Sequence, residues 1–184
     1  MSPGRLIVHE GVLQRVQRVP VKPWEVAGWL LGYWADDGEA VFITHVTPPA
    51  SKGTALGVRV TGEGHLPRFD EAWEASGGIV TFLGDWHTHP GSPPLPSSRD
   101  RKALRTLAGD DDFGTPRPLM AIASTPRLPG ADRLARLAFY LREPDDTIRR
   151  LIPTPTATLP AAVTEVPEWP WPNRRVRRQR TEPG

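Results

Sequence analysis

Two segments of the chain are apolar on both of the faces that alternate along a β-strand. Residues 25–34 read Glu-Val-Ala-Gly-Trp-Leu-Leu-Gly-Tyr-Trp, and residues 79–86 read Ile-Val-Thr-Phe-Leu-Gly-Asp-Trp. A strand of this kind is buried on both sides, so other elements must cover both faces of its sheet. The sequence therefore predicts a layered domain of the α/β class.

The remaining chain supplies further strands and about three helices. Runs of β-branched and apolar residues predict strands at 6–8, 40–46, 56–61, 118–124 and 134–141. Apolar residues at helical spacing, each series ended by proline or glycine, predict helices at 12–19, 67–75 and 98–108. We expect residues 25–34 and 40–46 to form a hairpin. The order of elements indicates one mixed sheet flanked by the helices.

The composition changes near residue 153. Residues 153–184 hold seven prolines and five arginines against three glutamates, whereas residues 1–152 carry equal numbers of basic and acidic side chains. Proline at this spacing disfavours a helix or a central strand. We therefore predict one domain at 1–152 and an extended, basic, Pro/Arg-rich tail at 153–184.

Cysteine is absent from all 184 residues. This excludes disulfides, thiolate metal ligands and a cysteine nucleophile, so hydrolysis would depend on a metal, a hydroxyl or carboxylates. The chain also lacks a leader-like apolar run at its start and any apolar stretch near the roughly 18 residues of a spanning helix. We expect a cytoplasmic protein.

Three side chains between 84 and 100 have the spacing of a metal site. His87 and His89 are two residues apart at the end of a predicted strand, so both imidazoles project from one face and can reach one cation. Asp100 shares a helix face with Leu104 and Leu107, where a buried carboxylate without a partner would be costly. A cation would be that partner, and zinc accepts both imidazole and carboxylate ligands.

Alternatives to this interpretation stay open. An isolated His-x-His pair can be two partly exposed histidines without a metal. Asp85 could replace Asp100 as the third ligand. We prefer Asp100, because Asp85 precedes His87 by one alternation of the strand and is placed to orient the imidazole.

Metal-assisted hydrolysis also needs a base that moves a proton. Glu25 is the best candidate, because it opens an otherwise apolar strand where a surface glutamate would be out of pattern. The remaining candidates, in polar surroundings, are Glu10, Glu63, Glu71 and Glu74. Ser97, beside the predicted metal site, could donate to an oxygen that becomes negative during the reaction. It could equally cap the following helix, and both roles can coexist.

Taken together, these motifs resemble the JAMM metallopeptidases of the MPN-domain family. The resemblance lies in Glu25 followed by Gly28-Trp-Leu-Leu-Gly32, in His87-Thr-His-Pro90, and in Ser97-Ser-Arg-Asp100. It covers roughly residues 5–142 and is closest to the bacterial JAB branch found with ubiquitin-like conjugation enzymes and in antiphage operons. It implies an MPN-like domain with a curved mixed sheet. It also implies one zinc ion per chain, held by His87, His89 and Asp100, with Glu25 activating water and Ser97 stabilising the intermediate.

The same resemblance implies a function. Members cleave isopeptide or peptide bonds after the C-terminal glycine of a ubiquitin-like protein, in deconjugation or in precursor processing. The expected partners are a ubiquitin-like protein or its conjugates and the associated activating and conjugating enzymes, with no membrane or nucleic-acid partner. The alternative is a noncatalytic scaffold or binding module whose basic tail contacts a protein or nucleic acid.

Overall fold

A computed structural model of the chain describes residues 4–35, 38–50, 62–111, 113–126 and 134–171. The strands are β1 (Arg5–His9), β2 (Ala27–Ala35), β3 (Ala40–Val46), β4 (Thr81–Pro90), β5 (Leu119–Thr125), β6 (Arg136–Arg142), β7 (Ile148–Leu151) and β8 (Pro153–Thr156). The α-helices are α1 (Glu10–Gln17), α2 (Leu66–Ala75), α3 (Ser98–Ala108) and α4 (Ala161–Thr164), and a 3-10 turn spans Gly62–Gly64.

The eight strands in the described residues form one mixed sheet in the order β7-β6-β5-β4-β2-β3-β1-β8. The two segments that are apolar on both faces, β2 and β4, are antiparallel neighbours at its centre. The predicted hairpin of β2 and β3 is confirmed, and β4 runs parallel to β5. The predicted α/β class, mixed sheet and three helices are therefore confirmed. The strand predicted at 56–61 lies outside the described residues.

Side chains from the helices cover both faces of the central strands. On one face, Val12 and Val16 of α1 join a buried cluster with Leu30 of β2 and Trp86 of β4. On the other face, α2 contributes Ala72 to a cluster that contains Trp29, Leu31 and Phe82, with Leu107 of α3 packed against it. The burial on both sides explains why β2 and β4 carry almost no polar side chains outside the motif.

The segment after residue 152 is in part folded, which corrects the picture of an extended tail. β8 pairs with β1 at the edge of the sheet, a position in which proline is tolerated. The following helix α4 is a fourth helix, beyond the three predicted. Val163, Val166 and Trp169 are buried in the cluster beneath α2, and Trp171 stacks on Trp86 with ring centroids 5.2 Å apart.

The arginines at 174–180 lie outside the described residues, and the division into a domain and a tail at 152/153 stays a prediction. Within the described parts of the chain, no helix is both long and apolar enough to cross a membrane.

Truncation should separate the folded part of the C-terminal segment from the rest. A chain ending at Leu159 loses three buried side chains, Val163, Val166 and Trp169, and should lose at least about 4 kcal/mol of unfolding free energy at roughly 1.5 to 3 kcal/mol per side chain. A chain ending at Trp171 keeps all three and is the matched control. Urea unfolding of both, next to the full chain, makes the measurement. Equal stability of the two truncated chains would contradict this packing.

Two histidines that the sequence assigned no metal role lie in the core. His65 is fully buried, stacks on Trp29 at 5.3 Å and has Nδ1 2.7 Å from Thr47 Oγ1. Burial, reinforced by nearby Arg68, lowers the pKa of His65 to about 4. Burial likewise lowers the pKa of His45 to about 4. Both side chains therefore favour the neutral form in the folded protein.

This gives the protein a predictable loss of stability in acid. The pKa of His65 is lower in the folded state than in the unfolded chain, so its contribution is present above pH 6.5 and is lost as the pH falls towards 4. The unfolding free-energy difference between wild type and His65→Gln should shrink by about 2 to 3 kcal/mol between pH 7.5 and 4.5. Urea titrations at each pH measure it. A difference that does not change with pH would show that His65 is not held neutral.

Candidate metal and catalytic site

The structure brings the three predicted metal ligands together. His87 and His89 project from β4, and Asp100 lies in the first turn of α3; their exposed fractions are 4, 8 and 9%. The Nε2 atoms of the two histidines are 3.1 Å apart. Asp100 Oδ1 lies 3.5 Å from His87 Nε2, and Asp100 Oδ2 lies 3.5 Å from His89 Nε2.

The partners of the two Nδ1 atoms decide which nitrogen of each histidine can bind a metal. His87 Nδ1 lies 3.3 Å from Asp85 Oδ1, and His89 Nδ1 lies 3.2 Å from the carbonyl oxygen of Pro93. A carboxylate and a carbonyl can only accept, so each Nδ1 carries the hydrogen. In a neutral imidazole Nε2 then holds a lone pair. Both lone pairs and the carboxylate of Asp100 therefore point at one small volume.

Three acceptors without a donor between them fit a cation. In a tetrahedral zinc site with bonds of about 2.0 to 2.1 Å, two ligand atoms lie roughly 3.3 Å apart. Here the two Nε2 atoms are 3.1 Å apart, and each lies 3.5 Å from one oxygen of Asp100, Oδ1 for His87 and Oδ2 for His89, which is close to that value. The donor set of two imidazoles and one carboxylate is that of a catalytic zinc centre, in which a fourth position is open. The residues present fit a metal ion.

Local structure at the start of α3 fixes Asp100. Ser97 is the N-cap residue, and its side chain accepts from Asp100 N at 3.3 Å while Asp100 Oδ2 accepts from Ser97 N at 2.6 Å. This reciprocal pair is a capping box. The predicted helix start and the capping role of Ser97 are confirmed. One carboxylate oxygen is thus anchored to the backbone while the group faces the histidines.

The pKa shifts of His87 and Asp100 both favour the charged form of the side chain. Burial alone would lower the pKa of His87, but Asp85, Asp100 and Glu25 raise it above its ordinary value. Burial alone would raise the pKa of Asp100, but hydrogen bonding with His89, the charge of His87 and the contacts with Ser97 hold it well below its usual range. Without metal, the site favours an ionised carboxylate beside a protonated imidazole. That positive charge is what a metal cation replaces.

Strand pairing places Glu25 beside the histidines. Thr88 N donates to Val26 O at 2.9 Å, and Val26 N donates to Thr88 Oγ1 at 3.0 Å. Glu25 directly precedes Val26, and Thr88 lies between His87 and His89, so these two bonds bring Glu25 towards the histidines. Glu25 is half-buried, and its charge contributes to the raised pKa of His87. The predicted base therefore lies next to the predicted ligands.

Of the two contacts that orient the histidines, the sequence predicted one and missed the other. The contact of Asp85 with His87 agrees with the orienting role inferred from its position one alternation earlier. The Pro93 carbonyl was missed, because it is a backbone group and carries no residue signature. The four prolines of 90–96 indicated a stiff connector but not which carbonyl faces His89.

Comparison with known proteins gives one family match over most of the chain. Residues 12–138 match the family described as prokaryotic homologs of the JAB domain. The matched range begins in α1 and ends in β6, and it includes the site residues on β4 and α3.

Curated relatives match over shorter ranges. A Sinorhizobium fredii protein named "Probable metalloprotease y4qB" is 35% identical over 101 residues, which is 53% of this chain and 61% of the relative. A Vibrio cholerae protein named "CD-NTase/cGAS isopeptidase" is 37% identical over 90 residues, which is 48% of this chain and 56% of the relative. The match therefore spans less than two thirds of either relative's length.

A solved structure supports the fold. The solution structure of a protein from Desulfitobacterium hafniense aligns with a TM-score of 0.52 at 20% identity, over 84% of this chain and 95% of that one. At this identity the likeness concerns the fold alone.

The metal centre makes a prediction about binding. Wild-type protein should bind about one equivalent of Zn²⁺, and His89→Ala should lose most of this affinity, since it removes one of three converging ligands. Calorimetric titration of the metal-free protein, with elemental analysis, measures both. His9→Ala, on β1, is the matched control and should bind like wild type. Unchanged zinc affinity in His89→Ala would rule out this ligand set.

Proposed function

The chain belongs to the family of prokaryotic JAB-domain homologs, and from this we propose that it is a zinc-dependent isopeptidase or peptidase. Its substrate would be a ubiquitin-like protein, cleaved after its C-terminal glycine in deconjugation or precursor processing. The observation that carries the proposal is the convergence of the His87 and His89 Nε2 atoms and the Asp100 carboxylate on one small volume. The names of the relatives, a metalloprotease and an isopeptidase, support it.

The proposed chemistry divides between the metal and the chain. A zinc ion held by His87, His89 and Asp100 would supply a Lewis acid and would make water a nucleophile near neutral pH. Glu25 takes the proton from the attacking water and returns it to the leaving amine. Glu25 is half-buried and close enough to His87 for its charge to act on that imidazole, which suits a group that accepts a proton beside the metal. Asp85 and the Pro93 carbonyl hold the two imidazoles with Nε2 facing inward.

Ser97 can serve both the helix and the reaction. Its oxygen accepts the Asp100 N–H, a bond that uses a lone pair and leaves the hydroxyl hydrogen for another acceptor. The side chain is exposed beside the metal ligands. We assign this hydrogen to the carbonyl oxygen of the scissile bond, where negative charge develops during attack.

The relatives' names suggest which substrate to test first. The Vibrio cholerae protein and an Enterobacter hormaechei protein that is 28% identical over 104 residues share the name "CD-NTase/cGAS isopeptidase". By that analogy, a conjugate of a ubiquitin-like protein with a CD-NTase is the first substrate to try. The ubiquitin-like protein, its activating and conjugating enzymes, and a cytoplasmic location stay predictions.

A noncatalytic scaffold is the competing hypothesis. In a scaffold, zinc would raise the melting temperature without any ubiquitin-like fusion being cut. A role of the basic tail in binding protein or nucleic acid concerns residues outside the described ranges and also stays a prediction.

Replacing the proposed base separates catalysis from metal binding. Glu25→Gln keeps the size and hydrogen-bonding capacity of the side chain but removes its proton affinity, so cleavage should fall at least about 100-fold. Zinc stoichiometry and melting temperature should stay close to wild type, because Glu25 is not among the proposed ligands. The measurement is the cleavage rate of a ubiquitin-like fusion at saturating zinc.

A second glutamate provides the control for this experiment. Glu74 of α2 is exposed and was an alternative candidate for the base. Glu74→Gln should cleave at the wild-type rate. Full activity in Glu25→Gln would refute the base assignment, and the loss of activity in Glu74→Gln would move the role to that residue.

A further inference from the structure

The loop between His89 and α3 is tied to the sheet by three consecutive carbonyl groups. Ser124 Oγ donates to the Ser92 carbonyl at 2.6 Å, His89 Nδ1 donates to the Pro93 carbonyl at 3.2 Å, and Tyr140 Oη donates to the Pro94 carbonyl at 2.7 Å. The three donors come from β5, β4 and β6, which are adjacent strands. The loop that joins two metal ligands is thus held by side chains of the sheet beneath it. We call these three hydrogen bonds the carbonyl clamp.

The middle bond of the carbonyl clamp involves a metal ligand itself. The Pro93 carbonyl that accepts from His89 also accepts from Leu95 N at 2.8 Å, which closes a tight turn around Pro94. The direction of the Pro93 carbonyl is therefore coupled to the placement of Pro94. Ser124 of β5 and Tyr140 of β6 lie on the same side of β4, and they hold the carbonyls of Ser92 and Pro94, one on each side of Pro93 in the sequence.

Tyr140 also contacts the helix that carries Asp100. Its ring lies in a buried cluster with Leu104, which is one helical turn beyond Asp100, and with Met120 and Ile122 of β5. Tyr140 is only 5% exposed. Burial raises the pKa of its phenol above the ordinary value, so the hydroxyl keeps the hydrogen it donates at neutral pH. One side chain thus contacts both the loop that follows His89 and the helix that carries Asp100.

We propose that Tyr140, assisted by Ser124, is a positioning residue of the metal centre: it holds the Pro93 carbonyl where it keeps the hydrogen of His89 on Nδ1 and Nε2 directed at the metal. The proposal rests on the zinc centre of the proposed function. Without the Tyr140 hydroxyl, the Pro94 carbonyl loses its partner and the turn gains freedom. His89 can then rotate or place its hydrogen on Nε2, and in either state this nitrogen no longer binds the ion.

The experiment compares hydroxyl deletions at two tyrosines. Tyr140→Phe keeps the ring in its cluster and removes only the clamp bond. Tyr33→Phe is the matched control, because Tyr33 stacks on Phe42 at 4.9 Å, six residues along β2 from the residue that pairs with His87. Zinc affinity is measured by chelator competition, and the geometry by the visible spectrum of the Co²⁺-loaded protein.

We expect Tyr140→Phe to bind zinc about tenfold more weakly than wild type, at the lower end of the range for residues that orient a metal ligand. Its Co²⁺ spectrum should shift in position or intensity. Tyr33→Phe should match wild type in both measurements. Ser124→Ala should weaken zinc binding in the same direction, and Ser124→Thr, which retains a hydroxyl, should restore it.

The outcomes distinguish this proposal from the proposed function. If Tyr140→Phe has a lower melting temperature but wild-type zinc affinity and spectrum, Tyr140 is merely structural and the positioning role is overturned. If wild type binds zinc but cuts no ubiquitin-like fusion, the proposed function fails, while a tenfold affinity loss in Tyr140→Phe still supports positioning. If wild type binds neither zinc nor Co²⁺, both proposals are overturned.

Discussion

The candidate metal site is built on three acceptor groups that converge at one point of the fold. Two imidazole Nε2 atoms and a carboxylate meet within 3.5 Å of one another on buried residues. Grouping acceptors without a donor is unfavourable in a low-dielectric interior unless a proton or a cation lies between them. The arrangement persists because each member is held by its own surroundings: Asp85 at His87, the loop carbonyl at His89, and the capping box at Asp100.

The face of β4 opposite His87 and His89 is also held in place by a side-chain hydrogen bond. Trp86 points away from the histidines, and its indole Nε1 donates to the Thr47 carbonyl at 3.1 Å. This hydrogen bond passes over Gly28, where an added Cβ would lie 2.5 Å from Trp86 Nε1 and 2.6 Å from Thr47 O. Close packing therefore requires a residue without a side chain at Gly28, three residues after Glu25. Gly28 lets a side chain from β4 reach across β2 to Thr47, the residue that follows β3, and this contact lies beside the site.

The sequence predicted the parts of this protein that depend on side-chain pattern. The apolar faces of β2 and β4, the spacing of His87 and His89, and the buried face of α3 carrying Asp100 each have a local signature. The clamp was not predicted, because two of its acceptors are proline carbonyls and its donor Tyr140 lies in an ordinary apolar strand. A buried tyrosine hydroxyl needs a partner, and that requirement was the available signal. Residues 153–171 were expected to be extended but form β8 and α4, since the proline-rich β8 is tolerated only because it is an edge strand.

The folded C-terminal segment contacts helices on both faces of the sheet, which its amino-acid composition did not indicate. Arg15 of α1 donates to the Trp169 carbonyl at 2.9 Å, and Trp169 Nε1 donates to Glu71 of α2 at 2.7 Å. A single residue thus bridges helices on opposite faces of the sheet. Two residues later, Trp171 stacks on Trp86, the neighbour of His87. Because rigid surroundings are what keep ligands in place before the metal arrives, this segment stabilises the strand on which the site is built, although it contributes no side chain to the metal cluster.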